Sequence, residues 1–401
     1  MLHPSPSRPA SLLQDSAARR ARTGILHLCA TLNHGDPARE AVSLAVLTQR
    51  LGWRALIASA GGNLVNEAER AAVQHLRLPL DQRGVLARWR SRARLDSLIQ
   101  RERPALIHAH GTEALGLACR LSRIHRIPLV IDLAQPVAHP AEAQTLLAHA
   151  TQITGAIRVP TRMMQEYVVS TLHINPSLIV RIAPGIDLQN YNQAAISAER
   201  LSTLSRLWRL PENAIVALVP LPLEPLMGQA TLLQALAEIP EERLYIVMVG
   251  QGRVGSPLRH ELEQSVERLK LSGKVIMPDF CPDWPAAFWL ANVVVAPNEG
   301  PRGQNRELLA AQALGRPVII TAMGANEEMV QKHETAWIVP SGNASALARA
   351  LREVTRLNTD QRVALAENAR FFVEEHFPQA DWFNGMMELY ERLIFTAKRR
   401  R

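Results

Sequence analysis

Glu299 and Glu307, in the stretch APNEGPRGQNRELLAAQALGRPV (296–318), stand with seven residues between them. Carboxylates at such a spacing could do acid–base chemistry. A plain structural reading is also open, because Glu307 would fall at a helix start, where the helix dipole favours an acid. Arg302 and Arg306 lie between the two acids and carry the charge that binds phosphate. A second signal is VGQGRV (249–254), where the GxG of Gly250 and Gly252 follows the apolar run LYIVMV and Arg253 comes next. Glycines at a strand end let backbone N–H groups approach a phosphate closely. A third is IHAHG (107–111), which sets His108 and His110 two residues apart at the end of an apolar run. No HxxxH, no DxD at a strand end and no Cys/His cluster occurs along the chain, so no metal centre is expected. Cys29, Cys119 and Cys281 are far apart and read as buried packing residues.

The elements that would position these groups follow from the apolar pattern. Short apolar runs at 25–30, 55–58, 105–108, 129–131, 154–159 and 178–182 alternate with segments of helical spacing such as 39–51 and 113–124. The pattern restarts with runs at 215–220, 244–249, 274–277, 293–296 and 317–321. Strand and helix in regular succession predict parallel, doubly wound sheets, and the restart predicts two of them. Gly185, Asn190, Asn192, Pro211 and Asn213 interrupt the periodicity and mark the boundary. The expected organisation is a disordered basic tail over 1–22, an α/β domain over 23–200, a second over 201–378, and a final helix over 379–401. In open α/β sheets ligands sit outside the carboxyl ends of the strands, so function is sought in the loops that follow them.

With 401 residues and 47% hydrophobic content the chain is long enough for two cores. No apolar run is long enough to span a membrane, and the first 22 residues lack a secretory apolar segment, so a cytoplasmic protein is expected. The net charge of +8 favours anionic partners. One concentration opens at Arg83 and closes at Arg103, interleaving arginines with Leu86, Trp89, Leu95 and Leu98. Another is the terminal Lys398, Arg399, Arg400 and Arg401. Peripheral contact with the anionic inner face of a membrane is one reading of these, a solvated helix face and charged tail the other. Aromatics make up only 4% and offer no stacking platform, so nucleic acid is not expected as a partner.

The segment AAQALGRPVII followed by TAMGANEEMV (310–330) resembles the donor-binding segment of family 4 retaining glycosyltransferases of the GT-B fold. The resemblance runs over roughly 25–394 and includes TLNHGDPAREAVSLA (31–45), IHAHG, RIAPGIDLQNYN (181–192) and LPLEPLMGQATLLQAL (221–236). It implies two Rossmann-like domains facing a cleft, an acceptor-side domain first and a nucleotide-sugar domain second, with the last helix crossing back to the first. It also implies sugar transfer of hexosyltransferase type from a nucleotide-sugar donor to a cell-envelope glycan or lipid-linked acceptor, in polysaccharide biosynthesis, without a bound cofactor. Matching positions put Gly35, Gly228, Gly250, Gly252, Arg253, Arg302, Arg306, Gly324 and Glu328 at the nucleotide-sugar cleft, with His110 and Glu307 as candidate catalytic groups.

Where the family pattern carries its donor-facing His, Arg, Lys and two Glu, this chain has Ala134, Pro222, Met227, Arg302 and Ala310. The expectation is therefore a preserved scaffold with impaired or altered activity. The alternative is a non-catalytic relative that binds a glycan or serves as a scaffold for an active partner glycosyltransferase.

Overall fold

The computed structural model describes residues 23–33, 35–81, 85–137, 139–150, 155–239, 243–250 and 257–399, with only the backbone of 85–89 and 148–150. The expected tail over 1–22, together with Arg83, Gly252, Arg253, Arg400 and Arg401, lies outside these residues.

The chain forms two units. The first ends at Ile182 and includes the chain again from Phe383 onward; the second comprises Ala183–Trp382. The boundary expected at 200/201 thus lies eighteen residues earlier. Packing explains the shift: Ile186, Ile196, Leu204 and Trp208 all bury in the core of the second unit, so the segment after Ile182 belongs there.

The first unit is built on seven parallel strands, β1 (Gly24–Cys29), β2 (Arg54–Ser59), β3 (Gln74–Arg77), β4 (Leu106–His110), β5 (Leu129–Asp132), β6 (Gly155–Val159) and β7 (Ile179–Arg181), in the order β3-β2-β1-β4-β5-β6-β7. The second has six, β8 (Ile215–Val219), β9 (Leu244–Met248), β10 (Val275–Ile276), β11 (Val293–Ala296), β12 (Val318–Thr321) and β13 (Ala336–Val339), in the order β10-β9-β8-β11-β12-β13. Both are the doubly wound parallel sheets expected, reversing direction beside β1 and β8. The periodicity overlooks β3 and β13. QHLR is a polar edge strand with no fully buried residue, and AWIV is an edge strand of which only Ala336 and Val339 are buried.

One face of the first sheet is ordinary: Leu26, Leu28, Ile107, Ala109, Ile131, Ile157 and Val159 pack in one apolar cluster. Because side chains alternate along a strand, the intervening residues share the other face. Parallel register puts His27 beside His108, His110 beside Asp132, and Asp132 beside Arg158. A row of polar side chains therefore crosses four adjacent strands.

The basic helix Val85–Glu102 turns Leu95, Leu98 and Ile99 into that same apolar core and exposes Arg90, Arg94 and Arg101. Those three apolar residues are not available for insertion into a lipid surface. Among the described residues no helix is long and apolar enough to cross a membrane. The final helix, Gln379–Arg399, buries Met386, Met387, Leu389, Tyr390, Leu393 and Ile394.

Candidate functional site

In the second unit the loops after four strands close on one another through glycines. Gly228 caps the helix Gln229–Ala237 with φ 74°, and a Cβ there would lie 1.9 Å from the Pro297 carbonyl oxygen. Only glycine lets the loop after β8 lie this close to the loop after β11. Gly324, with φ 65°, plays the same part after β12: a Cβ would lie 2.4 Å from the Arg302 backbone nitrogen. Gly250 after β9 would meet the Leu221 carbonyl oxygen at 2.2 Å. Backbone bonds join the same loops, with Glu299 and Gly300 N–H donating to the Leu226 carbonyl and Ala325 N–H to that of Arg302.

Arg302 stands at the centre of this arrangement. Its Nη1 is 3.5 Å from Met227 Sδ, and its Nε is buried without a hydrogen-bond partner among the described residues. Both amide atoms of the buried Asn305 side chain and one carboxylate oxygen of Glu307 are likewise unpartnered. Buried polar atoms are normally satisfied, so such a concentration on 302–307 has the chemistry of a surface that completes its bonds to a ligand or water. Below it, Thr321 Oγ1 donates to the Asn298 carbonyl, and Asn326 Nδ2 donates to Asn298 Oδ1 at 2.8 Å, which holds the loop in place.

Glu299 accepts a bond from Thr231 Oγ1, while Glu307 occupies the first turn of the helix Arg306–Ala313. Arg306 is buried, donates to the Gly185 carbonyl at 2.6 Å and lies over the Trp382 ring. That contact gives its guanidinium a packing role. Ala310 is buried in the core on the same helix, and Glu328 donates its backbone N–H to Ala325. Gly35 and His110 belong to the first unit. Gly35 caps the helix Asp36–Arg50 with φ 147°, and Gln135 donates to Asp36 beside it.

The polar row of the first sheet was not legible as a site. Arg158, fully buried, donates through Nη1 to both Glu40 and Asp132 at 3.1–3.2 Å, and through Nε to the Ile182 carbonyl. Burial, together with the neighbouring Glu40, pushes the Asp132 carboxyl well above its usual range, against the pull of Arg158. His27 Nδ1 lies 3.0 Å from His110 Nε2, and His108 Nδ1 lies 2.7 Å from the Tyr390 hydroxyl. All three rings are buried, and burial lowers their pKa values, that of His110 to about 3 with Arg158 adding to the effect. The expectation of no Cys/His cluster is overturned here, because 83 residues separate His27 from His110 along the chain. The available signal was polar residues at alternate positions inside otherwise apolar strands.

These two units match known domain models: Glycosyltransferase Family 4 over residues 38–190 and Glycosyl transferases group 1 over residues 214–356. The chain is 31% identical over 130 residues to WcaL of Escherichia coli K12, a protein named for colanic acid biosynthesis, covering 31% of this chain and 32% of that one. It is 25% identical to the D-inositol 3-phosphate glycosyltransferase of Salinispora arenicola, covering 71% of this chain and 64% of that one. The matches thus span between a third and just under two thirds of these relatives' lengths. In three dimensions it is similar to Anabaena HepE, solved with UDP and glucose, at TM-score 0.79 and 22% identity, covering 92% of this chain and all of that one. Two units that match a Glycosyltransferase Family 4 and a Glycosyl transferases group 1 domain identify the chain as a member of the family 4 glycosyltransferases, with the parallel-sheet fold of the GT-B structures it is similar to.

Proposed function

We propose that this chain transfers a sugar from a nucleotide-sugar donor to a cell-envelope glycan or lipid-linked acceptor, with Arg302 supplying the cation that grips the donor diphosphate. The observation that carries this reading is the contact of Arg302 Nη1 with Met227 Sδ. In the family pattern position 227 holds a lysine and position 302 a glutamate; here the cation reaches the same neighbourhood from the opposite loop. A guanidinium presents two parallel N–H groups to phosphate oxygens, a geometry that a lysine lacks. The glycine-built loops around Gly228, Gly250 and Gly324 are support of a second kind, since they bring backbone close to where a diphosphate would lie. The relatives named for colanic acid and inositol phosphate transfer favour glycan and lipid-linked acceptors, and HepE, solved with UDP and glucose, favours a nucleotide-sugar donor. Exposed Arg90, Arg94 and Arg101 would assist at an anionic cytoplasmic surface.

A second reading, a non-catalytic glycan-binding or scaffold protein paired with an active enzyme, is favoured by one observation. Ala310, at the position of the second family glutamate, is an apolar side chain sealed in the core. Calorimetric titration of the full chain with UDP, GDP and ADP separates the two. Saturable heat with one of them supports the donor reading, and none at millimolar nucleotide excludes it. Release of free nucleotide from the corresponding nucleotide sugar in the presence of acceptor then tests transfer itself.

A further inference from the structure

We propose that His27, His108 and His110 bind one divalent transition-metal ion of the zinc class in the interior of the first unit. One ring nitrogen from each lies within 4.8 Å of the other two. In a zinc site each nitrogen is about 2.0–2.1 Å from the metal, so tetrahedral ligand nitrogens stand roughly 3.4 Å apart. Modest rotation of the rings closes that gap.

Neutral imidazoles suit Zn²⁺, Co²⁺, Ni²⁺ or Cu²⁺, whereas Ca²⁺ and Mg²⁺ take oxygen ligands. His108 already has the environment of a metal-ligating histidine: its Nδ1 is engaged by the Tyr390 hydroxyl, and its Nε2 has no partner among the described residues. A second group that fixes one nitrogen orients the ring and leaves the other for the metal.

His27 Nε2 and His110 Nδ1 are also buried and unpartnered. The His27 to His110 contact uses a single proton, and for both rings to ligate that contact gives way: His27 Nδ1 and His110 Nε2, 3.0 Å apart, present their lone pairs to the metal, and each neutral ring keeps its one proton on its other nitrogen.

The Glu40 and Asp132 carboxyls pair with Arg158 on the same polar face and offset its charge. Asp132 sits beside His110 in the register of β4 and β5. An ion here would tie β1 to β4 where the strand order reverses, a structural role independent of the donor reading of the second unit.

Because the rings are buried, loading has to occur while the chain folds. The full chain without a tag would be produced in minimal medium supplemented with Zn²⁺ or Co²⁺, dialysed against EDTA, and assayed by mass spectrometry for metal. We expect about one ion per chain, with the intense visible absorption of four-coordinate cobalt in the Co²⁺ form. His108→Gln and His110→Gln should each hold at least about tenfold less metal, while His333→Gln, at an exposed turn, should match the wild type. Circular dichroism verifies folding of each variant. If a variant does not fold, the wild-type cobalt spectrum decides, since a weak six-coordinate spectrum overturns the assignment. Folded wild type without metal after both loadings, or folded His108 and His110 variants that keep a full complement, overturns it as well.

Discussion

Replacing Arg302 by methionine deletes the guanidinium beside Met227. A hydrogen bond to a charged group contributes about 1.5–3 kcal/mol net. At about 1.4 kcal/mol per tenfold, nucleotide diphosphate should bind roughly 10- to 150-fold more weakly. The geometry also predicts how the family residues behave when returned one at a time. Met227→Lys alone would set an ammonium about 4 Å from the Arg302 guanidinium, and like charges at that distance cost about 4 kcal/mol at an effective dielectric constant of 20. The single variant should therefore melt lower than wild type without nucleotide, and regain stability with it, because a diphosphate bridges the two cations. Met227→Lys with Arg302→Glu turns the repulsion into attraction, so the thermal stability of the pair should exceed the sum of the single effects. Calorimetry gives the affinities and thermal melting the stabilities. Unchanged nucleotide affinity in Arg302→Met, or strictly additive stabilities across the cycle, would refute the placement of Arg302 as the compensating cation.

Three further outcomes test other parts of the molecule. Gly228→Ala puts a methyl within 2 Å of the Pro297 carbonyl at φ 74°, so the second unit should lose several kcal/mol, about the scale of a strained backbone plus overpacking; a melting temperature equal to wild type would refute the close approach. Arg158→Met leaves Glu40 and Asp132 buried without their cation and should cost about 3–5 kcal/mol, whereas the triple change with Glu40→Gln and Asp132→Asn should recover most of it. Chemical denaturation followed by a probe of the first unit would contradict this if single and triple variants were equally unstable. Asp283 is partly buried, which raises its pKa, but the bidentate contact with Arg200 and the Ala286 N–H outweigh burial and hold it below the ordinary 3.8. A depressed folded pKa gives stability present above the unfolded pKa and lost as pH falls through the folded one. Asp283→Asn should thus melt below wild type at pH 7 and converge with it below pH about 3.8; a constant difference across that range would count against the ion pair.

The sequence determined the architecture because it is written locally. Alternating apolar runs and amphipathic segments leave a parallel, doubly wound sheet as the packing solution, and a restart of the pattern requires a second one. Resemblance to the family singled out Gly228, Gly250 and Gly324, where backbones approach closely. The sequence could not say what lay opposite. That Arg302 meets Met227 depends on two loops separated by 75 residues, and that Arg306 turns to Gly185 depends on a carbonyl 121 residues away. The polar face of the first sheet was hidden for the same reason. His27, His110, Asp132 and Arg158 sit in four separate strands, each read alone as apolar, and only strand order and register set them side by side. Local periodicity fixes which residues form a strand and which face each takes. Which strands become neighbours, and therefore which charges and rings meet, is decided by the long-range packing of the folded chain.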